Sequence, residues 1–154
     1  MKEYGKRLKN DSDYATKAER VSSLAKDLSE ILTAEDLTPL KVDSREIKVA
    51  FQSPRTLQHG QQLNGVVESI LGKLGFNFTG VTDPHLCCGS AGTYSTLQPN
   101  LSGRLLDNKL ESLQQGKPDV IATANIGCQL YLDTKSEMPV KHWIELVDEA
   151  MGQP

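Results

Sequence analysis

The stretch Asp119-Val120-Ile121-Ala122-Thr123-Ala124, followed at once by Asn125-Ile126-Gly127-Cys128, decides how this chain is read. Its first part is the most strand-like segment of the sequence, short and rich in β-branched residues. Its second part is a loop that ends on a thiol.

Working toward the N-terminus, Leu101, Leu105, Leu106, Leu110 and Leu113 form the apolar stripe of a helix. Pro99 suits its first turn and Gly116 its end. Before it stand a strand at Phe76–Val81, a helix from Leu57 to Leu74 ended by Gly75, and a β-rich run, Ile47–Phe51, closed by Ser53-Pro54. Toward the C-terminus, Pro139–Trp143 reads as a last short strand and is followed by a helix through Met151. From residue 47 onward strand and helix alternate, which predicts an α/β fold with a mostly parallel sheet and helices on both faces.

The sequence before residue 47 is different. Residues 11–32 read as one long amphipathic helix preceding the sheet, capped by Asp11 or Ser12, with Ala18, Val21, Leu24, Ala25, Leu28, Ile31 and Leu32 on one stripe. Residues 33–46, with Pro39, form a connection, and Lys2–Lys9 has room for one helical turn. The expected organisation is an N-terminal helical segment with its connection, 1–46, and a single α/β domain, 47–154.

In parallel sheets, sites form where the loops converge at the carboxyl ends of the strands. The loop after Ile47–Phe51 carries Ser53-Pro54-Arg55-Thr56. The loop after Phe76–Val81 carries His85-Leu86-Cys87-Cys88-Gly89-Ser90-Ala91-Gly92, and the loop after Asp119–Ala124 carries Cys128. All three cysteines are therefore expected at one sheet edge. Three thiolates there suffice for a soft metal ion with one open position, and are one short of a four-cysteine iron-sulfur site.

Simple packing is the bland alternative, since a free cysteine often acts as a small buried hydrophobe. Adjacent side chains on an extended segment point to opposite sides, so a core strand buries one thiol of Cys87-Cys88 and not both. Among the histidines, His85 is the first candidate for a fourth ligand or a donor to the ligands. His59 ranks second, and a lone histidine is more often structural. The glycines at 89 and 92 lack the spacing of the common nucleotide-binding fingerprints. A cysteine nucleophile activated by His85 gains nothing from a second adjacent thiol and a third on another loop.

Composition narrows the function classes. The 154 residues include 17 basic and 20 acidic side chains for a net charge of -3, with no basic block, so nucleic acid is not the expected partner. No apolar run approaches the ~20 residues that span a bilayer. Met1-Lys-Glu-Tyr-Gly-Lys-Arg lacks the apolar core of a secretory signal, and three cysteines is an odd count. A soluble intracellular protein with reduced thiols is expected.

Several motifs together carry a family resemblance. His-Leu-Cys-Cys-Gly-Ser-Ala-Gly-Thr-Tyr at 85–94, Thr-Leu-Gln-His-Gly at 56–60, Asp-Asn-Lys at 107–109, Thr-Ala-Asn-Ile-Gly-Cys at 123–128, His-Trp-Ile-Glu at 142–145 and Lys-Glu-Tyr-Gly at 2–5 span the chain. They resemble the C-terminal part of glycolate-oxidase-type iron-sulfur subunits, within the cysteine-rich CCG-domain family, which also includes a heterodisulfide reductase subunit. The resemblance implies an electron-transfer role, with an iron-sulfur cluster (4Fe-4S in the family) or another metal held by Cys87, Cys88 and Cys128, and His85 as an optional fourth ligand.

It further implies flavin-bearing glycolate oxidase subunits and the N-terminal part of the same subunit as partners. The implied location is the cytoplasm, at the inner face of the membrane where the complex associates peripherally. The chain corresponds to the second CCG unit of a longer subunit and is not expected to oxidise glycolate by itself. One departure from the family pattern matters: the first ligand cysteine falls at Arg55, and a further cysteine position falls at Tyr131. Arginine is a permanent cation and cannot ligate. The alternative implied by this loss is a metal-free or zinc-binding structural domain that contacts its partner subunits.

Overall fold

The computed structural model describes residues 1–40, 42–44 and 46–152. The chain is organised as two compact units, Met1–Asp36 and Leu37–Pro154.

The first unit is three short helices: α1 (Tyr4–Arg7), α2 (Ala15–Leu24) and α3 (Leu28–Ala34). The single long helix expected over 11–32 is therefore two. Helix α2 stops at Ala25, which is extended at φ -71° and ψ 110°. It restarts because Asp27 and Glu30 form a capping box: Asp27 accepts from the Ser29 amide at 3.0 Å, and the Asp27 amide donates to Glu30 at 2.7 Å. Two orphan amide donors satisfied reciprocally at a new helix start outweigh continuity of the apolar stripe. Asp11 does not cap α2 as expected: it accepts the Asp13 and Tyr14 amides in the turn before the helix, whose N-cap is Tyr14 with no side-chain cap bond. The Gly5 amide donates to Ser22 at 2.8 Å and ties α1 to α2.

The second unit is an α/β fold. Strands β1 (Lys48–Gln52), β2 (Asn77–Phe78), β3 (Val120–Thr123) and β4 (Val140–His142) form a four-stranded sheet in the order β2-β1-β3-β4. Every pairing is parallel, with Val49 opposite Phe78 and Val120, and Ile121 opposite Val140. The strand expected over 76–81 shrinks to two exposed edge residues, although Thr79 still donates its amide to Val49 at 3.0 Å.

The helices of this unit are α4 (Val66–Lys73), α5 (Tyr94–Leu97), α6 (Pro99–Gln114), α7 (Ile126–Asp133) and α8 (Trp143–Ala150). The helix expected over 57–74 is interrupted. A π turn occupies Thr56–Gly60, and α4 begins only after Gln62 and Gly65, whose φ angles are 58° and 75°. Left-handed residues cannot continue a right-handed helix.

All residues of β3 are buried, as are the last four of β1. Central parallel strands are covered on both faces, and their sequences read as apolar runs for that reason. One face carries Ala50 and Ile121, which cluster with Leu106, Leu110 and Leu113 of α6, Leu132 of α7 and Cys88. Alternation directs Val49, Phe51, Val120 and Ala122 to the opposite face, where they are buried too. Among the described residues, no helix is long and apolar enough to cross a membrane.

Candidate metal centre

Strand order fixes where the site lies. The chain leaves β1 for β2 on one side and later returns to β3 on the other, so the connections diverge between the carboxyl ends of β1 and β3. A crevice opens at such a switch point. Here it is a cavity of about 410 Å³, whose lining includes Gln52 and Arg55 from the β1 end, Cys87, Cys88 and Ser90 from the loop after β2, and Cys128 from the start of α7.

Gln52, which lines the cavity, is held in a buried polar pair. The Thr123 hydroxyl donates to Gln52 Oε1 at 2.7 Å, and Gln52 Nε2 donates to the Ser53 carbonyl at 3.1 Å. Both side chains end their strands, so the polar contact finishes the apolar sheet core and begins the cavity. Cys128 is positioned by the N-cap of α7: Asn125 Oδ1 accepts the Cys128 amide at 3.1 Å. This is the preferred use of Asn at a helix start.

The adjacent cysteines divide as alternation predicts. Cys88 is 1% exposed and joins the core cluster, whereas Cys87 is half-buried at the cavity wall. Cys88 Sγ lies 3.2 Å from Cys128 Sγ, and both remain free thiols. The Gly89 amide donates to Cys87 Sγ at 3.4 Å. The bond shared with Cys128 pushes the Cys88 thiol down to about 6, against the opposing effect of burial, with backbone donors at Ser90 and Cys88 helping. The same bond, then burial, pushes Cys128 up. One proton thus serves two sulfurs, and the pair gives up its first proton more readily than an isolated thiol.

Helix α6 laces the cysteine loop down with three side chains. Ser112 donates to the Thr82 carbonyl, Lys109 Nζ to the Pro84 carbonyl at 3.0 Å, and Ser102 to the Gly89 carbonyl at 2.9 Å. Ser102 also meets the Tyr131 hydroxyl at 2.5 Å, which ties the loop to α7. Lys109 is fully buried. Desolvation pushes its ammonium below the ordinary lysine value, while negative charge at Cys88, Cys128, Cys87 and Asp83 pulls it back up.

Arg55 lines the cavity together with the thiols, as its place after β1 predicts. His85 is exposed and does not line the cavity; His59 is exposed in the π turn. His142 caps α8, its Nδ1 accepting the Ile144 amide at 3.5 Å. Sequence reasoning missed the Gln52–Thr123 contact and the burial of Lys109. The signal for Lys109 was its place between Leu106 and Leu110 on the apolar stripe.

The donor set fits a soft-metal or iron-sulfur centre in kind and place: three sulfurs line one cavity, and one of them is already biased toward thiolate. It is one sulfur short of a four-cysteine set. Two thiolates at ~2.3 Å from one tetrahedral metal stand about 3.8 Å apart, so the pair must open slightly to admit an ion. Among the described residues, no three His, Cys, Asp or Glu side chains are already gathered closely enough to hold a metal ion. Cys87 therefore has to turn inward to complete a three-sulfur set.

Comparison with known proteins agrees with this architecture. The family model for the cysteine-rich domain, CCG, matches residues 51–133. The glycolate oxidase iron-sulfur subunit of Escherichia coli (strain K12) is 53% identical over 151 residues, covering 98% of this chain and 37% of that protein. The probable glycolate oxidase iron-sulfur subunit of Bacillus subtilis (strain 168) is 27% identical over 168 residues, covering 99% of this chain and 36% of that protein. Lactate utilization protein A of Bacillus licheniformis is 25% identical over 135 residues, covering 83% of this chain and 54% of that protein. The chain spans little more than a third of the glycolate oxidase subunits and about half of the lactate utilization protein.

Proposed function

The chain belongs to the cysteine-rich CCG-domain family, and from that premise we propose that it is the electron-transfer domain of a glycolate-oxidase-type iron-sulfur subunit, with Cys87, Cys88 and Cys128 as ligands of an iron-sulfur cluster or metal. The observation that carries this reading is the meeting of Cys88 and Cys128 at 3.2 Å in a cavity that Cys87 also lines. Bound there, a cluster supplies one-electron storage. The chain's own residues do the rest. Cys88 offers a sulfur already inclined to the thiolate form, Asn125 fixes the helix turn that presents Cys128, and the α6 serines hold the loop that presents Cys87. Flavin-bearing subunits and the remainder of the same subunit are the partners this reading requires, and its setting is the cytoplasm, where the thiols stay reduced.

The test is anaerobic reconstitution with iron and sulfide, followed by iron and sulfide analysis and visible absorbance. The wild-type chain is expected to retain both elements. Cys87→Ser, at a half-buried position that leaves the core intact, is expected to lose most of them. Equal and negligible metal in both proteins defeats the ligand assignment.

A second reading, a zinc-binding or metal-free domain that contacts its partner subunits, is favoured by one observation: Arg55 occupies the cavity wall where the family pattern has a cysteine. Zinc in place of iron after purification from metal-supplemented culture selects the zinc form of it.

A further inference from the structure

Lys109 is 0% exposed and sits on α6 beneath the cysteine loop. Buried ammonium groups are costly unless a counter-charge and hydrogen bonds compensate them. The structure supplies the hydrogen bond at the Pro84 carbonyl, 3.0 Å away. No carboxylate stands within ion-pair distance of Lys109: among the described residues, the ion pairs join Lys2 with Glu30, Arg7 with Glu3, Lys135 with Asp107 and Lys141 with Glu149. The neighbouring ties from the same helix show that a carbonyl of this loop needs no cation, because Ser102 and Ser112 hold Gly89 and Thr82 with neutral hydroxyls. A lysine in the middle of that row therefore needs a reason beyond tethering.

We infer that Lys109 is the buried counter-charge of the cysteine centre, its ammonium balancing the negative charge that Cys87, Cys88 and Cys128 carry when they hold a metal. Its helix neighbours Leu106 and Leu110 pack in one cluster with Cys88, against which Cys128 also packs, and its hydrogen-bond partner Pro84 stands three residues before Cys87. Burial works against its charge, and the sulfurs and Asp83 favour it. This rests on the ligand reading above and adds to it a residue that touches no metal. Lys109 acts through the sulfurs as a positioning and charge-balancing residue: it lowers the free energy of the thiolate set and favours the more negative, reduced state of a bound cluster.

Two substitutions separate charge from tethering. Lys109→Gln keeps a donor for Pro84 without the charge; Lys109→Met keeps the length and apolar stem without either. The probe is Co2+ titrated into the reduced chain, read from the sulfur-to-cobalt charge-transfer absorbance. Both variants are expected to bind Co2+ at least tenfold more weakly than wild type, within the ~10–100-fold range for outer partners of metal ligands. After reconstitution with iron and sulfide, the one-electron midpoint is expected to fall in both variants, by about 59 mV for each tenfold loss in the equilibrium.

Wild-type affinity in Lys109→Gln overturns the inference and leaves Lys109 as a tie to Pro84. The inference also falls if both metal-free variants fail to fold by circular dichroism, since Lys109 is then needed for the fold itself rather than for the charge of metal-holding sulfurs. A wild-type chain with no charge-transfer band defeats the ligand reading itself, and this inference with it.

Discussion

The Ser102 hydroxyl donates to the Gly89 carbonyl at 2.9 Å, and a Cβ at position 89 would stand 2.6 Å from the Ser102 carbonyl. The cysteine loop thus rests on α6 with no space for a side chain, at a residue whose φ is 92°. Gly89→Ala is expected to cost about 2–4 kcal/mol in urea unfolding, from left-handed strain plus collision with helix backbone. Gly92, at φ 62° with nothing within 4 Å of its Cβ, carries only the strain, so Gly92→Ala should cost about 1 kcal/mol. Equal losses at the two positions would mean that contact with α6 is not what holds the loop.

Stability of the reduced, metal-free chain should vary with pH through the sulfur pair. The Cys88 thiol lies near 6 in the fold against an ordinary 9.0, so its ionisation adds stability that is full above pH 9 and is lost as pH falls toward 6. Cys128 is shifted the other way and withdraws stability as pH climbs past the ordinary thiol value. The urea midpoint should rise from pH 6 to 9 by this contribution and turn down beyond it. Subtracting the profile of Cys128→Ala, which removes the partner that shares the proton, isolates the effect; a difference flat across that interval rules out proton sharing.

Glu68 on α4 keeps a buried carboxylate oxygen with no partner among the described residues, and burial pushes its carboxyl up from 4.5. A raised value gives stability that is present below the unfolded value and is lost as pH rises through the folded one. Glu68→Gln should therefore gain about 1 kcal/mol at about pH 7 and nothing at about pH 4. Thermal melts at the two pH values decide it.

Arg55 shares the cavity with the sulfurs, reaching it from the β1 end. Arg55→Cys supplies a fourth thiol and removes a fixed cation, so iron and sulfide retained after reconstitution should increase, and Co2+ should bind at least tenfold more tightly. An unchanged metal content in this variant would favour the subunit-contact reading.

Much of the fold was legible because its signals are local. The apolar runs at β1 and β3 and the Pro99-to-Gly116 helix were visible in residue types alone, and the strand-end rule placed Arg55, Cys87, Cys88 and Cys128 around one opening. The break in the N-terminal helix was also written locally, in Asp27 and Glu30, but the continuous apolar stripe masked it. The interruption before α4 depends on Gln62 adopting a positive φ, which no side-chain preference announces. Strand order, the burial of Lys109 and the Gln52–Thr123 contact were not readable, because each is decided by segments distant in sequence; Gln52 and Thr123 are 71 residues apart.

That separation also sets the order in which the molecule can be made. Parallel pairing of β1 with β3 closes a loop that encloses β2, the cysteine loop and all of α6, and such non-local contacts form slowly. The sulfur pair belongs to the same closure, since Cys128 arrives only with the segment that follows β3. A chain folding from its N-terminal side therefore has Cys87 and Cys88 before Cys128, 40 residues beyond Cys88, can pack against them. On the ligand reading proposed above, a metal can be held by all three sulfurs only once the sheet has closed, and an oxidant that arrives earlier meets two unguarded thiols.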